Sequence, residues 1–224
     1  MVLKYEVIYT DRKTLAISVE RDRRVIVRAP KHLPRERIES ILERKKLWLF
    51  QKGRSDQKLS LEPQEKEFVS GESLLYLGKH YPLRVTRKDQ QGISFDREFV
   101  ISKTSQTDAS ELFKDWYTQR AKEKIVPRVR ESAKMLGVSC NRVKIVDMKY
   151  QWGSCSPKNN LSFNWKLIKA PLFVMDYIIV HELAHLIELN HTEEFWNIVA
   201  VQVPRYARAK EWLRNNGALL DKNF

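Results

Sequence analysis

Most of this chain's capacity for chemistry lies in eleven consecutive residues: His181, Glu182, Leu183, Ala184, His185, Leu186, Ile187, Glu188, Leu189, Asn190 and His191. The run before them (Phe173, Val174, Met175, Tyr177, Ile178, Ile179, Val180) is apolar and predicts a mostly buried helix. Side chains four apart on a helix share a face with Cβ atoms about 5–6 Å apart, so the imidazoles of His181 and His185 can reach one ion. Glu182 lies roughly 100° further round, since a turn takes 3.6 residues. From there it can touch a water on that ion without being a ligand. This H-E-x-x-H spacing is the arrangement of zinc hydrolases, in which the glutamate serves as general base.

A third donor follows. Asn190 offers a helix end that would swing His191 back toward the ion. Thr192 can then cap a new helix whose first turn carries Glu193 and Glu194 at its positive end. Glu188, seven residues after His181, shares its helical face and competes with His191 if the helix runs on; Glu193 and Glu194 come after it. The alternative is a buried helix whose histidines only satisfy core hydrogen bonds. Three of the chain's five histidines clustered with an acid, on a surface where an unpaired polar group is costly, favour metal.

At 224 residues the chain can hold one large domain or two modest ones. The start does not resemble a signal peptide, and the most apolar segment, residues 172–180, is short and interrupted by Asp176, so no membrane span is expected. The two cysteines, Cys140 and Cys155, do not form a disulfide framework and suit a reducing, cytoplasmic setting. The net charge is +13 with a pI near 9.7. Basic residues crowd the first third, among them Arg21, Arg23, Arg24, Arg28, Lys31, Arg35, Arg37, Arg44, Lys45 and Lys46. Such a field attracts polyanions, although no nucleic-acid motif accompanies it and a plain solvated surface is an equal reading.

Residues 4–10, 14–20 and 23–28 alternate and predict an antiparallel meander, followed by a helix over 35–52 that Gly53 stops, with Trp48 and Phe50 packing on the sheet. A Ser-, Gln- and Glu-rich linker covers 54–67. Residues 73–77 and 80–86 form a hairpin about Gly78 and Lys79, which suits a type II′ turn. Gly92 and Arg97 punctuate two more short strands. A helix starts at Asp108 or Ser110, is kinked or restarted at Pro127 and ends at Gly137. Residues 141–152 and 161–167 read as strands around a loop over 153–160, and either strand could pair with an extended peptide. After His191 a helix carries Phe195, Trp196 and Val199, and a last helix carries Tyr206, Trp212 and Leu213. The fold class is α+β, with an antiparallel β-rich, basic N-terminal region over 1–105 and the metal-bearing region over 106–224.

Tyr150-Gln151-Trp152-Gly153-Ser154-Cys155, then Leu161 through Ile168, then His181-Glu182-Leu183-Ala184-His185-Leu186 with Asn190-His191 and Phe195-Trp196 resemble the YgjP-like metallopeptidases, related in motif to SprT-like zincins. The likeness is specific over residues 144–213. Metzincins differ, carrying Gly where this chain has Glu188 and a later Met-containing turn that it lacks. The resemblance implies a zincin-like catalytic domain with one Zn2+ on three histidines and Glu182 as base.

The expected activity is hydrolysis of a peptide or protein. Zinc lowers the pKa of its bound water from 15.7 to about 7, and Glu182 takes the proton as that water attacks a carbonyl. Trp152 and Ser154 are expected at the rim of the site, and Tyr206, Arg205, Tyr150 and Ser154 are candidates to bind the substrate or stabilise the oxyanion. One alternative keeps the site and hydrolyses a nucleoside triphosphate, for which the basic surplus is suited but a Gly-rich phosphate loop is missing. Another is a non-enzymatic nucleic-acid-binding module braced by structural zinc, which would want four protein ligands.

Overall fold

Val25, Ile26 and Val27 are consecutive and all buried, so the strand they form needs cover on both faces and takes the middle of its sheet. The computed structural model describes residues 5–12, 14–19, 25–46, 49, 66–149 and 151–221. Contacts divide the chain into two units, Met1–Pro63 with Arg214–Ala218, and Gln64–Leu213 with Leu219–Phe224. In the first, β1 (Tyr5–Thr10), β2 (Ala16–Val19) and β3 (Val25–Pro30) lie in the order β1-β3-β2. β1 runs parallel to β3 and β2 antiparallel to it, so the expected antiparallel meander is instead a mixed sheet. The reason is the apolar run of β3, which excludes it from an edge. Helix α1 (Arg35–Arg44) buries Ile38 and Leu42, with Lys45 at its C-cap, short of the expected end. Trp48, Phe50 and nearly all of the linker lie outside the described residues.

The second unit is built on a long helix, α2 (Ala109–Leu136). Phe113, Tyr117, Ala121, Ile125, Val129 and Ala133 recur every four residues and are all buried, giving one apolar stripe. The helix runs on through Pro127 instead of restarting, and Gly137 at φ +69° closes it as the sequence predicts. Strands β4 (Ser73–Tyr76), β5 (Lys79–Thr86), β6 (Ser94–Phe95) and β7 (Phe99–Ser102) form a sheet in the order β4-β5-β7-β6. Its aromatic residues Tyr76, Phe95 and Phe99 pack edge-on and tilted against Trp116 and Tyr117 of α2. One core therefore continues from Leu74 and Phe99 to Ile179 and Phe195, and the expected division at 105/106 falls inside this unit.

Strands β8 (Arg142–Val146), β9 (Gly153–Cys155) and β10 (Asn160–Asn164) make a third sheet ordered β8-β10-β9. Gly153, Ser154 and Cys155, expected in a loop, pair antiparallel with β10. Buried Asn164 fixes the end of this sheet: its amide donates to Met148 and Gln151 carbonyls at 2.6 and 3.1 Å, and its side-chain oxygen accepts from Lys166 N–H at 3.1 Å. A 3-10 turn, Trp165–Lys169, leads into α3 (Leu172–Ala184), then α4 (Glu193–Gln202) and α5 (Tyr206–Asp221). The fold is α+β. Among the described residues no helix is long and apolar enough to cross a membrane.

The β4–β5 turn docks on the 3-10 strap formed by Trp165–Lys169. Its two central residues are Leu77 and Gly78, at φ +48° and +78°, a type I′ turn one residue earlier than the expected type II′. Leu77 is held in that unfavourable region because its N–H and that of Gly78 donate to the Ile168 and Lys169 carbonyls, each at 2.9 Å. A Cβ at residue 78 would stand 2.6 Å from Pro171 Cγ. Gly78→Ala should therefore cost about 1–3 kcal/mol, read as a lower urea midpoint at unchanged slope; an unchanged midpoint would show that the turn is not docked.

Candidate metal centre

Helix α3 is apolar nearly all round, with Val174, Met175, Ile178, Ile179, Val180, Leu183 and Ala184 buried, which places Glu182 inside the protein and His181 half-buried beside it. The helix ends at Ala184, with His185 as its C-cap, and not at Asn190. The chain turns at once, Leu186 N–H donating to Leu183 O at 3.0 Å and Glu188 N–H to Ala184 O at 2.9 Å. The Thr192 side chain accepts from Phe195 N–H at 3.4 Å and starts α4, with Glu193 and Glu194 in its first turn as expected. His191 thus sits just outside one helix, facing the end of another.

The three imidazoles converge. One ligand atom from each of His181, His185 and His191 lies within 4.8 Å of the others. The Nε2 atoms of His181 and His191 are 3.1 Å apart, against about 3.3 Å for two nitrogens at 2.0–2.1 Å from a tetrahedral ion. Fully buried Phe195 forms a common floor, its ring centroid 4.9, 4.6 and 4.7 Å from those of His181, His185 and His191.

The donor chemistry fits a cation. His185 Nδ1 lies 3.2 Å from the Glu188 carbonyl oxygen, which can only accept, so Nδ1 carries the hydrogen and Nε2 is left with a lone pair. Burial, then the neighbouring histidines, lowers the His181 pKa to about 4. Burial, then His185, lowers that of His191. Neutral imidazole is the form that binds metal. His181 Nδ1 is buried with no hydrogen-bond partner among the described residues.

Glu182 stands apart from the cluster and is 6% exposed. Burial raises its pKa to about 7, opposed by a hydrogen bond from the Cys155 backbone N–H. The carboxyl lies flat against Gly153: a Cβ there would be 2.6 Å from Glu182 Cγ and 2.8 Å from Oε1. A glycine inside a strand-like run is the sequence signal for such an approach.

The other candidates disperse. Glu188 turns away, its carboxylate accepting from Asn190 N–H at 2.9 Å; it is not in the cluster, and neither are Glu193 and Glu194. Ser154 pairs with Ser162, and strand alternation puts its side chain opposite to Gly153 and Cys155, away from Glu182. Trp152 is half-buried and packs on the core. Tyr206 stacks on Trp196 at 5.3 Å and on Tyr177 at 6.4 Å, and Trp196 in turn contacts His181 and His191. Tyr150 lies outside the described residues. Lys210, absent from the candidates above, sits 4.1 Å over the Trp196 ring; nothing in the spacing of a charged helix nineteen residues after His191 marks it out.

Comparison with known proteins places the chain among the metal-dependent peptidases. The model of the YgjP-like metallopeptidase domain matches residues 13–216, and the chain belongs to that family. The crystal structure of the metallopeptidase zymogen of Pyrococcus abyssi abylysin is similar at 25% identity over 45% of this chain and 98% of its own, with a TM-score of 0.38. No curated protein matches.

Two outcomes follow from the geometry. His185→Ala should lose bound metal, read by elemental analysis of the purified protein; full metal content would remove it from the donor set. In metal-free protein the Glu182 carboxyl is protonated more readily folded than unfolded. Its contribution is therefore present below about 4.5 and lost as pH rises toward about 7. Across the same window the lowered pKa values of His181 and His191 push the other way, so the Glu182 contribution is read as a difference: the urea-measured stability of Glu182→Gln relative to the unmutated protein should rise as pH goes from about 4.5 to about 7.

Proposed function

We propose that the chain is a zinc-dependent peptidase in which His181, His185 and His191 hold one Zn2+ and Glu182 is the general base. The observation that carries this reading is a buried carboxyl near three convergent imidazoles, on the helix of His181 but outside the cluster. Imidazole donors suit zinc. Bound there, the ion supplies an acidified water and polarises the scissile carbonyl. Glu182 accepts the proton of the attacking water as its oxygen bonds to the carbonyl carbon and the π pair moves onto the carbonyl oxygen. The proton then passes from Glu182 to the amine as the C–N bond breaks and the carbonyl re-forms. Gly153 and the Cys155 N–H keep the carboxyl aimed during both transfers.

Among the described residues no strand pairs with the outer edge of β9, which favours a peptide over a nucleotide. Asn164 N–H donates to Trp152 O, and Ser156 N–H to Asn160 O, each at 2.9 Å. With Ser154 opposite Ser162, the alternation of an antiparallel ladder turns the backbone groups of Gly153 and Cys155 away from β10. Cys155 N–H meets Glu182, leaving Gly153 N–H, Gly153 C=O and Cys155 C=O for an extended chain to pair with beside the base. The half-buried, free thiols Cys140 and Cys155 suit a reducing cytoplasm. Exposed Arg35, Arg37, Arg44, Lys45 and Lys46 in the first unit could add weak binding of a polyanion.

Zinc-loaded protein should cleave denatured protein and leave nucleoside triphosphates intact. Glu182→Gln should retain one zinc and lose about 10²–10⁴-fold in turnover. A zinc-loaded Gln variant of full activity would overturn the assignment of the base, and nucleotide hydrolysis alone would replace the substrate class.

A further inference from the structure

Residues 170–204 contain no lysine or arginine, so the three histidines and Glu182 lie in a segment with no cation of its own. Helix α5 supplies one. Lys210 Nζ lies 4.1 Å from the centroid of Trp196 and 5.8 Å from that of Tyr206. The Trp196 ring is 5.7 Å from His191 and 5.9 Å from His181. Trp196 thus links Lys210 to the His181 and His191 rings, whereas the Glu182 carboxyl lies against Gly153 of β9. The ammonium is therefore on the α5 side of the centre, and the base is on the β9 side. Of the nearby cations, Arg208 is committed to the Phe173 ring at 4.8 Å.

A positive charge next to a site for a divalent cation is repulsive unless an anion comes between them. Among the described residues, Lys210 contacts rings and forms no ion pair. The anion that hydrolysis itself generates is the carbonyl oxygen of the attacked bond. We propose that Lys210 is a catalytic residue whose ammonium donates a hydrogen bond to that oxygen as it becomes an oxyanion. Trp196 holds the ammonium between turnovers, and the long, flexible stem lets it move from the ring to the oxygen. Lys210 keeps its proton throughout. The charge it meets appears when the π pair moves to oxygen and disappears when the C–N bond breaks.

This assignment rests on the peptidase reading, and its test separates the two. Lys210→Met should keep one zinc by elemental analysis and lower kcat about 10²–10³-fold. KM should stay within about twofold, equally for peptides ending in a free carboxylate and in an amide, and Lys210→Arg should recover part of the loss. A phosphinate peptide, whose P–O⁻ group mimics the oxyanion, should bind zinc-loaded Lys210→Met more weakly by a similar factor in calorimetry. Unchanged kcat with unchanged phosphinate affinity would overturn the assignment. So would a rise in KM confined to carboxylate-terminated peptides, which would make Lys210 an anchor for the substrate's end. If wild-type protein loaded with zinc cleaves no peptide, the peptidase reading fails on its own evidence, and the phosphinate measurement still reads Lys210.

Discussion

A carboxyl group taken out of water on an apolar helix is expensive unless something on the facing wall compensates for it. For Glu182 that wall is the backbone of β9: one N–H from Cys155, and at Gly153 the absence of a side chain. The rest of the second unit can be read as the support of this contact. β9 is three residues long and could not hold its place alone; β10 pairs with it on one side and with β8 on the other. Asn164 ties the end of β10 to residues 148 and 151, which aligns the approach to β9. Behind it, the stripe of α2 fixes the 3-10 strap and α3 in one core.

The strap itself shows how much the fold commits to this arrangement. Lys166 and Lys169 are both almost fully buried within it. Lys166 faces Asp147 at 4.0 Å, which Lys114 also meets at 3.0 Å. Lys169 lies over the rings of Tyr117 and Trp165, and burial lowers its pKa to about 7. The same five residues present the Ile168 and Lys169 carbonyls that receive the β4–β5 turn. Two buried cations in five residues are uncommon, and here they mark the place where the hairpin, the long helix and the sheet meet.

Local chemistry was legible in the sequence, and long-range pairing was not. The spacing of His181, Glu182 and His185, the cap at Thr192 and the stop at Gly137 each depend on neighbours a few residues away, and the structure brings the three histidines together as that spacing requires. Glu188 shares a helical face with His181 only on a helix that continues, and the helix ends four residues before it. The parallel pairing of β1 with β3, the strand at Gly153, and the shift of the turn to Leu77 and Gly78 all depend on partners far along the chain. Lys210 is invisible from sequence for the same reason: its meaning comes from Trp196, which only the packing of α5 on α4 supplies.

The two halves of the histidine cluster belong to different helices. His181 and His185 close α3, His191 precedes α4, and the five residues between them expose Ile187 and Leu189 to solvent. An ion gripped by all three would therefore clasp two helices across a loop with little packing of its own. Binding free energy spent on that clasp is folding free energy, so the lifetime of the protein in a cell would track the supply of the metal as closely as its catalysis does.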